Sequence, residues 1–306
     1  MLYVSICIPT KNRSNYVKET VESILNDDVD KSEYEIVISD NSDNSDTENY
    51  AKELIMMGYN IVYYKNPEKG FYNSIKVLTL ANGLFLKLQN DYSKFRCGGF
   101  RRLVDVVKLE IDEQPQIFFS NGSLGKWDKK EASSLNEFIR ITTFQNTWSS
   151  AFSIWKNDLS KVSHTNKSVD SMFPHTSLLL NLSKERYIID NNVYIDNIPV
   201  EKKGGYNIFY NFCILYLGML EGKMCEGGIT KKTYNIVKYR MLLDFIAPWY
   251  YRTILTDQGY TFDNANANEN IRKKYGFSGL SYVFFLGYLN SFYKKFTIFL
   301  KSRSKG

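Results

Sequence analysis

The first ninety residues alternate apolar, strand-like runs with segments of helical spacing, and this alternation constrains the fold more than any other feature. Residues 2–8 (LYVSICI) are β-branched and apolar, and Pro9-Thr10-Lys11-Asn12-Arg13 ends the run. Over 16–25, Tyr16, Val17, Thr20, Val21 and Ile24 recur at the spacing of one helix face. Strands are then expected at 34–39 (YEIVIS), 60–64 (NIVYY) and 84–88 (LFLKL), with helices at 47–57 and 71–80 between them. Continuous apolar runs suit strands buried on both faces, and strand–helix–strand repeats imply a mostly parallel, twisted sheet flanked by helices. Ligands of such sheets bind outside the carboxyl ends of the strands. Here those ends are Pro9-Thr10, Asp40-Asn41, Asn66 and Asn90-Asp91, so polar residues collect along one edge.

The pattern is mixed beyond residue 95. Helices are expected at 99–111 and 135–141, and strands at 116–120, 149–155 and 187–193. Gly204-Gly205 reads as a boundary, giving an α/β domain over 1–204 and a helical region over 205–306. Residues 206–256 look helical and aromatic, and 261–270 look like an Asn-rich loop. The stretch 281–306 is apolar from Tyr282 to Leu289, is interrupted by Lys294 and Lys295, and ends with Lys301, Arg303 and Lys305. A spanning helix needs about 20 apolar residues without central charge. An amphipathic helix lying in a membrane interface suits this tail better than a span or a buried core or dimer helix.

Composition narrows the functional class. The chain has 306 residues and a net charge of +6, too small without a basic motif to argue for nucleic acid. The four cysteines, Cys7, Cys97, Cys213 and Cys225, are scattered, which fits neither a zinc site nor a disulfide framework and suits a reducing cytoplasm. The N-terminus does not read as a signal peptide.

The runs VSICIPTKNRSNYVKETVESIL, EIVISDNSDNSDT and NPEKGFYNSIKVLTLANGLFLKLQND resemble the family 2 glycosyltransferases of GT-A fold, most of all bacterial enzymes that build O-antigen or capsule. The order strand–Pro-Thr-x-Asn-Arg–helix–strand–Asp-Asn–strand–Gly–helix–Ala-x-Gly–strand–Asp carries the resemblance over residues 3–103. It implies a Rossmann-like sheet, a nucleotide-diphosphate sugar held at its carboxyl edge, and inversion at the anomeric carbon. By the same resemblance Pro9, Thr10 and Asn12 face the nucleoside and Asp40, with Asn41, bonds base or ribose; a simple Asx turn is the other reading of Asp40. Gly70 and Asn73 fall near the nucleotide, and Lys11 and Arg13 are either phosphate contacts or solvated. Asp43 and Asp46 read as loop or helix-cap residues.

Two departures from the family stand out. Its short acidic cluster after strand four holds Mn²⁺ or Mg²⁺ against the diphosphate; here the stretch is Gln89-Asn90-Asp91-Tyr92, so Asp91 is the single carboxylate offered to a metal, with Asn90 beside it. The family's acidic pair before a later helix is replaced by Pro174-His175. His175 is therefore a candidate base, ligand or structural residue, and Asp170 is the rival base. Ser120-Asn121-Gly122-Ser123 and Trp148 are candidates for the acceptor side.

The expected activity is that of a hexosyltransferase moving a sugar to a hydroxyl of a lipid-linked surface glycan. The expected partners are a nucleotide-diphosphate sugar, UDP-linked first, the lipid-linked acceptor, an anionic membrane at the inner cytoplasmic face met by the C-terminal tail, and a second copy of the chain. A nucleotidyltransferase would want a Gly-rich basic loop after strand one, and KNRSNY does not supply it. An inactive nucleotide-sugar-binding scaffold is the alternative from another class.

Overall fold

The computed structural model describes residues 1–200, 204–256 and 258–303, with side chains as far as residue 289. The chain divides into two compact units, Met1–Pro199 and Val200–Gly306.

In the first unit, β1 (Val4–Thr10), α1 (Ser14–Leu25), β2 (Tyr34–Asp40), α2 (Asp46–Met56), β3 (Ile61–Lys65), α3 (Asn73–Leu80) and β4 (Phe85–Leu88) follow the alternation read from the sequence. There follow β5 (Ser93–Phe95), α4 (Gly99–Leu109), β6 (Gln116–Phe119), β7 (Lys129–Ala132) and α5 (Leu135–Thr142). After two short 3₁₀ turns come β8 (Ser153–Trp155), α6 (Lys156–Leu159), α7 (Pro174–Asn181), β9 (Tyr187–Asp190) and β10 (Ile195–Asn197).

The main sheet has the order β3-β2-β1-β4-β8, parallel except for β8. The chain builds outward from β1 through β2 to β3, then returns to place β4 on the other side of β1. The strand order therefore reverses between β1 and β4, the kind of crevice where doubly wound sheets bind ligands. Both faces of β1 and β2 are buried. Ile6, Ile8, Ile36 and Ile38 pack with Val17, Val21 and Ile24 of α1 and with Leu103, Val104 and Val107 of α4.

The Ala-x-Gly motif has a steric cause. Gly83 lets the turn into β4 pass against β1; a Cβ there would lie 2.7 Å from Ser5 Oγ and 2.9 Å from Val4 C. The buried Glu35 carboxylate secures that turn. It accepts from Ser5 Oγ (2.6 Å), Asn82 Nδ2 (3.1 Å) and the Gly83 amide (3.3 Å), while Ser5 Oγ accepts from the same amide (2.8 Å). This network fixes the level of β4 relative to β1, and with it the level of the residues at their ends.

Several elements differ from the sequence reading. The helix expected over 71–80 begins at Asn73, because Gly70 has φ +112° and turns the chain away before it. The strand expected over 149–155 is confined to Ser153–Trp155; Ser149 and Ser150 lie in a 3₁₀ turn, where the Ser149 hydroxyl donates to Asn90 and the Ser150 hydroxyl accepts from the Asn90 amide. The strand expected over 187–193 stops at Asp190, whose Oδ1 accepts from the Asn192 amide and turns the chain. Asp46 is not a cap: it is the first residue of α2, and Ser45 occupies the cap position.

The second unit comprises β11 (Gly204–Asn207), α8 (Ile208–Tyr210), α9 (Leu217–Cys225), α10 (Lys231–Met241), α11 (Ala247–Tyr250), β12 (Thr261–Asp263) and α12 (Ala267–Arg303). Wider π turns at Asn211–Tyr216, Leu242–Ile246 and Tyr251–Leu255 join its helices. The Asn-rich stretch at 261–270 is not a plain loop, since it contains β12 and the start of α12. Much of the aromatic content is core here: Phe212 lies on Phe245, and Trp249 meets both Tyr260 and Phe262 edge-on. Gly276, at φ +71°, kinks α12. Among the described residues no helix is long and apolar enough to cross a membrane. The basic end of the tail, Lys294 to Arg303, lies where side chains are not described, and Lys305 lies outside the described residues altogether.

Candidate active site

The crevice between the ends of β1 and β4 gathers three residues singled out from the sequence. Asp91, 3% exposed, accepts from Thr10 Oγ1 through Oδ2 (2.7 Å) and from Arg13 Nη1 through Oδ1 (3.2 Å). Its main-chain carbonyl accepts from Thr20 Oγ1 of α1 (2.9 Å). Burial pushes the Asp91 carboxyl above the usual carboxylate range, and Arg13 and Thr10 pull against that shift. The Arg13 guanidinium carbon also lies over the Tyr92 ring, 5.6 Å from its centroid, and the side chain is 38% exposed.

The neighbouring strand end, that of β2, is built differently. Asp40 is 0% exposed, and its oxygens are engaged: Oδ1 accepts from the Ser42 amide (2.7 Å), and Oδ2 from Tyr63 OH (2.9 Å) and Lys65 Nζ (3.4 Å). Asn41 donates to the carbonyls of Asn66 and Glu68. Asn73 is also internal: Oδ1 accepts from Ser39 Oγ and Asn66 Nδ2, while Nδ2 donates to the Ser39 and Thr10 carbonyls. Asn12, at φ +54°, donates its amide to Ser42 Oγ (2.7 Å) and pairs through its side chain with Asp43. Asp40, Asn41, Asn73 and Asn12 thus hold the β1 and β2 loops in one arrangement. Pro9 stands in register with Ser39, and Thr10 with Asp40. Gly70 lies just outside α3, with nothing within 4 Å of where a Cβ would stand.

Asn90 connects this edge to the segment 143–151. Its amide donates to Ser150 Oγ (3.1 Å), and its Oδ1 accepts from Ser149 Oγ (2.7 Å). The buried Lys87 donates to the Leu88 carbonyl (2.7 Å) and to the Ser150 carbonyl, and burial pulls its ammonium down to about 7. At the start of the segment, Thr143 has φ +51°, a sparsely populated conformation for a β-branched residue. Trp148 is half-buried beside this turn, while Ser120 and Asn121 are engaged with Asn191 and with the Tyr194–Ile195 backbone.

The same segment meets α7. His175, 6% exposed, donates Nε2–H to the Thr147 carbonyl (2.9 Å) and packs edge-on against Phe152. Burial pulls its pKa down to about 4. Asp170 lies just before α7 and is half-buried; its Oδ1 accepts from the Met172 and Phe173 amides, both at 2.8 Å.

The His175 environment predicts a pH response. The unfolded chain takes up a proton on this ring near pH 6.5, and the folded protein only near 4. The stability it contributes is complete above 6.5 and is lost as the pH falls through that window. The total is about 3 kcal/mol at pH 4, from about 1.4 kcal/mol per pH unit. Urea midpoints between pH 7 and 4 should fall less steeply for His175→Gln than for the parent chain; identical slopes would remove His175 as the cause.

The donor set here does not fit a tightly held divalent ion. Asp91 is the single carboxylate of the stretch Gln89–Tyr92, its oxygens face Thr10 and a guanidinium, Asp40 on the neighbouring strand end has its own oxygens engaged, and no group of three or more His, Cys, Asp or Glu converges among the described residues. Hard cations take several oxygen ligands.

Three contributors escaped the sequence reading. Tyr63 and Lys65 lie two apart on β3, so strand alternation puts them on one face, both on Asp40. Ser42 joins the two loops through Asn12, a contact that no local pattern encodes.

Comparison with known proteins agrees with this geometry. Residues 5–83 match the family model for glycosyl transferase family 2. Abequosyltransferase RfbV of Salmonella typhimurium is 25% identical over 198 residues, which cover 61% of this chain and 54% of that one, so the chain spans about half the length of this curated relative. Among solved structures, S. aureus TarS 1–349 in complex with UDP-GlcNAc superposes with a TM-score of 0.64 at 15% identity, covering 89% of this chain and 80% of that one. Mannosyltransferase PcManGT from Pyrobaculum calidifontis, in complex with GDP-Man and Mn²⁺, has a TM-score of 0.53 at 13% identity, covering 98% and 84%. Likeness at these identities carries the fold.

Proposed function

We propose, from the premise that this chain is a family 2 glycosyltransferase of GT-A fold, that it transfers a sugar from a nucleoside diphosphate sugar to a hydroxyl of a bacterial surface glycan. The observation that carries this reading is the convergence of Thr10, Arg13 and Asp91 at the reversal between β1 and β4. The likeness to a structure holding UDP-GlcNAc makes UDP the first nucleotide to test. A lipid-linked acceptor at a membrane surface suits the exposed Phe277, Tyr282, Phe285, Tyr288 and Leu289 of α12.

The reaction is a single in-line displacement. The acceptor oxygen forms a bond to the anomeric carbon, the bond from that carbon to the diphosphate breaks, and the nucleoside diphosphate leaves with the electron pair. A base takes the acceptor proton. Asp170 suits that task better than His175, because the backbone amides of Met172 and Phe173 both hold its Oδ1 and neither holds its Oδ2. His175 has its Nε2–H committed to Thr147 and is a very weak base at about 4. We assign it to positioning α7 against the segment that holds Asn90. Asp40 acts by fixing the nucleoside-side loops, its carboxylate already occupied.

The test is nucleotide release from a panel of nucleotide sugars, with glycan acceptor present. Asp170→Asn is expected to lower turnover about 100-fold or more, with nucleotide affinity retained. Should Asp170→Asn be silent while His175→Asn abolishes turnover, the base is His175.

A further inference from the structure

We propose that the Arg13 guanidinium is the cation that faces the donor diphosphate in this enzyme, standing where relatives with a fuller acidic cluster place a divalent ion. The inference rests on the donor-site reading above. Asp91, the carboxylate that would anchor a metal, instead holds Arg13 at 3.2 Å. A divalent ion on the same oxygen would have to displace that cation; the Asp40 carboxylate at the neighbouring strand end is already engaged by Ser42, Tyr63 and Lys65, and no group of three or more His, Cys, Asp or Glu converges among the described residues.

Arg13 is suited to the role by what surrounds it. Its guanidinium carbon lies over the Tyr92 ring, and one nitrogen is tied to Asp91, so the group is held at two points. Fixing it beforehand reduces the ordering that ligand binding must impose. Its other N–H groups have no partner among the described residues, and the side chain is 38% exposed. A guanidinium carries five N–H donors in a planar fork that matches phosphate oxygens in pairs. It sits at the first residue before α1, at the β1 end of the strand-order reversal. Asp91 in turn is a positioning residue: it aims Arg13, and Thr10 and Thr20 aim Asp91.

In the displacement, negative charge grows on the leaving diphosphate as the bond to the sugar breaks. A preorganised cation at that place stabilises it without an ion being recruited.

The experiment is calorimetric binding of UDP, dTDP, CDP and GDP to the full chain, in EDTA and again with Mn²⁺, alongside the matching nucleosides. The diphosphate that binds is expected to do so within about twofold in the two buffers. Arg13→Ala should weaken it at least about tenfold and leave the nucleoside unchanged, and Arg13→Lys should recover part of the loss, since a charged hydrogen bond is lost and then replaced by a point charge. Binding that appears only with Mn²⁺, or an Arg13→Ala chain that binds diphosphate as the parent does, overturns the inference while leaving the donor site in place. Binding of no diphosphate in either buffer overturns the donor-site reading itself, and this inference with it. Near-parental nucleoside affinity of Arg13→Ala reports that the variant is folded.

Discussion

Asp91→Ala is expected to lower kcat/KM by about 10²–10³ while leaving the melting temperature close to that of the parent chain. The two halves of this result have one cause. Asp91 is almost fully buried, and burial pushes its carboxyl up, so the fold holds a charge it would be easier to leave out. Removing the carboxylate relieves that cost. It also strips Thr10 Oγ1 of its acceptor, and frees Arg13, which is exposed enough to be solvated. The stability terms therefore oppose one another, whereas the activity terms add. Arg13 loses its aim, and the loop from β1 loses its tie to β4. The discriminating measurement is a rate constant and a thermal unfolding curve on the same preparation. A variant that loses activity only in proportion to lost folded protein would show that Asp91 is structural.

Trp155→Ala should have the opposite profile, costing about 3–5 kcal/mol of stability. Trp155 is completely buried on β8, donates Nε1–H to the Pro115 carbonyl (2.7 Å) and meets Phe85 of β4 edge-on at 4.8 Å. Alanine removes most of the ring's packing, opens a cavity where β4 and β8 pair, and leaves the Pro115 carbonyl without this donor. Equilibrium urea unfolding measures it. A loss under about 1.5 kcal/mol, smaller than large-to-small core changes cause, would mean that β8 repacks and that its edge is softer than its burial suggests.

The parts of the fold that were legible are those that repeat. Strands β1 and β2 are buried on both faces and so appear as unbroken apolar runs, and α1 shows its buried face at helical spacing. Strand β7, with the sequence KKEA, is polar and mostly exposed, and its place comes from pairing with β9 rather than from its own residues. Strand order was the other hidden quantity. Thr10 and Asp91 are 81 positions apart, and only the return of β4 to the flank of β1 brings their side chains together. Residue type found both; topology decided that they touch. The case of His175 was hidden for a different reason. A histidine near a helix start reads alike whether its ring is open or buried, and only the Thr147 contact and the burial distinguish the two.

The network around the turn into β4 also bears on how such a chain can change over generations. Ser5 and Glu35 grip the turn, and Gly83 leaves the room for their grip. An alanine at 83 collides with Ser5, and a lost carboxylate at 35 strands the Asn82 donors and leaves the Gly83 amide to Ser5 alone, so single substitutions here meet a barrier from each direction. Ser5, Glu35 and Gly83 are then inherited as one character rather than three. Two of them are the first and last residues of the stretch that matches the family.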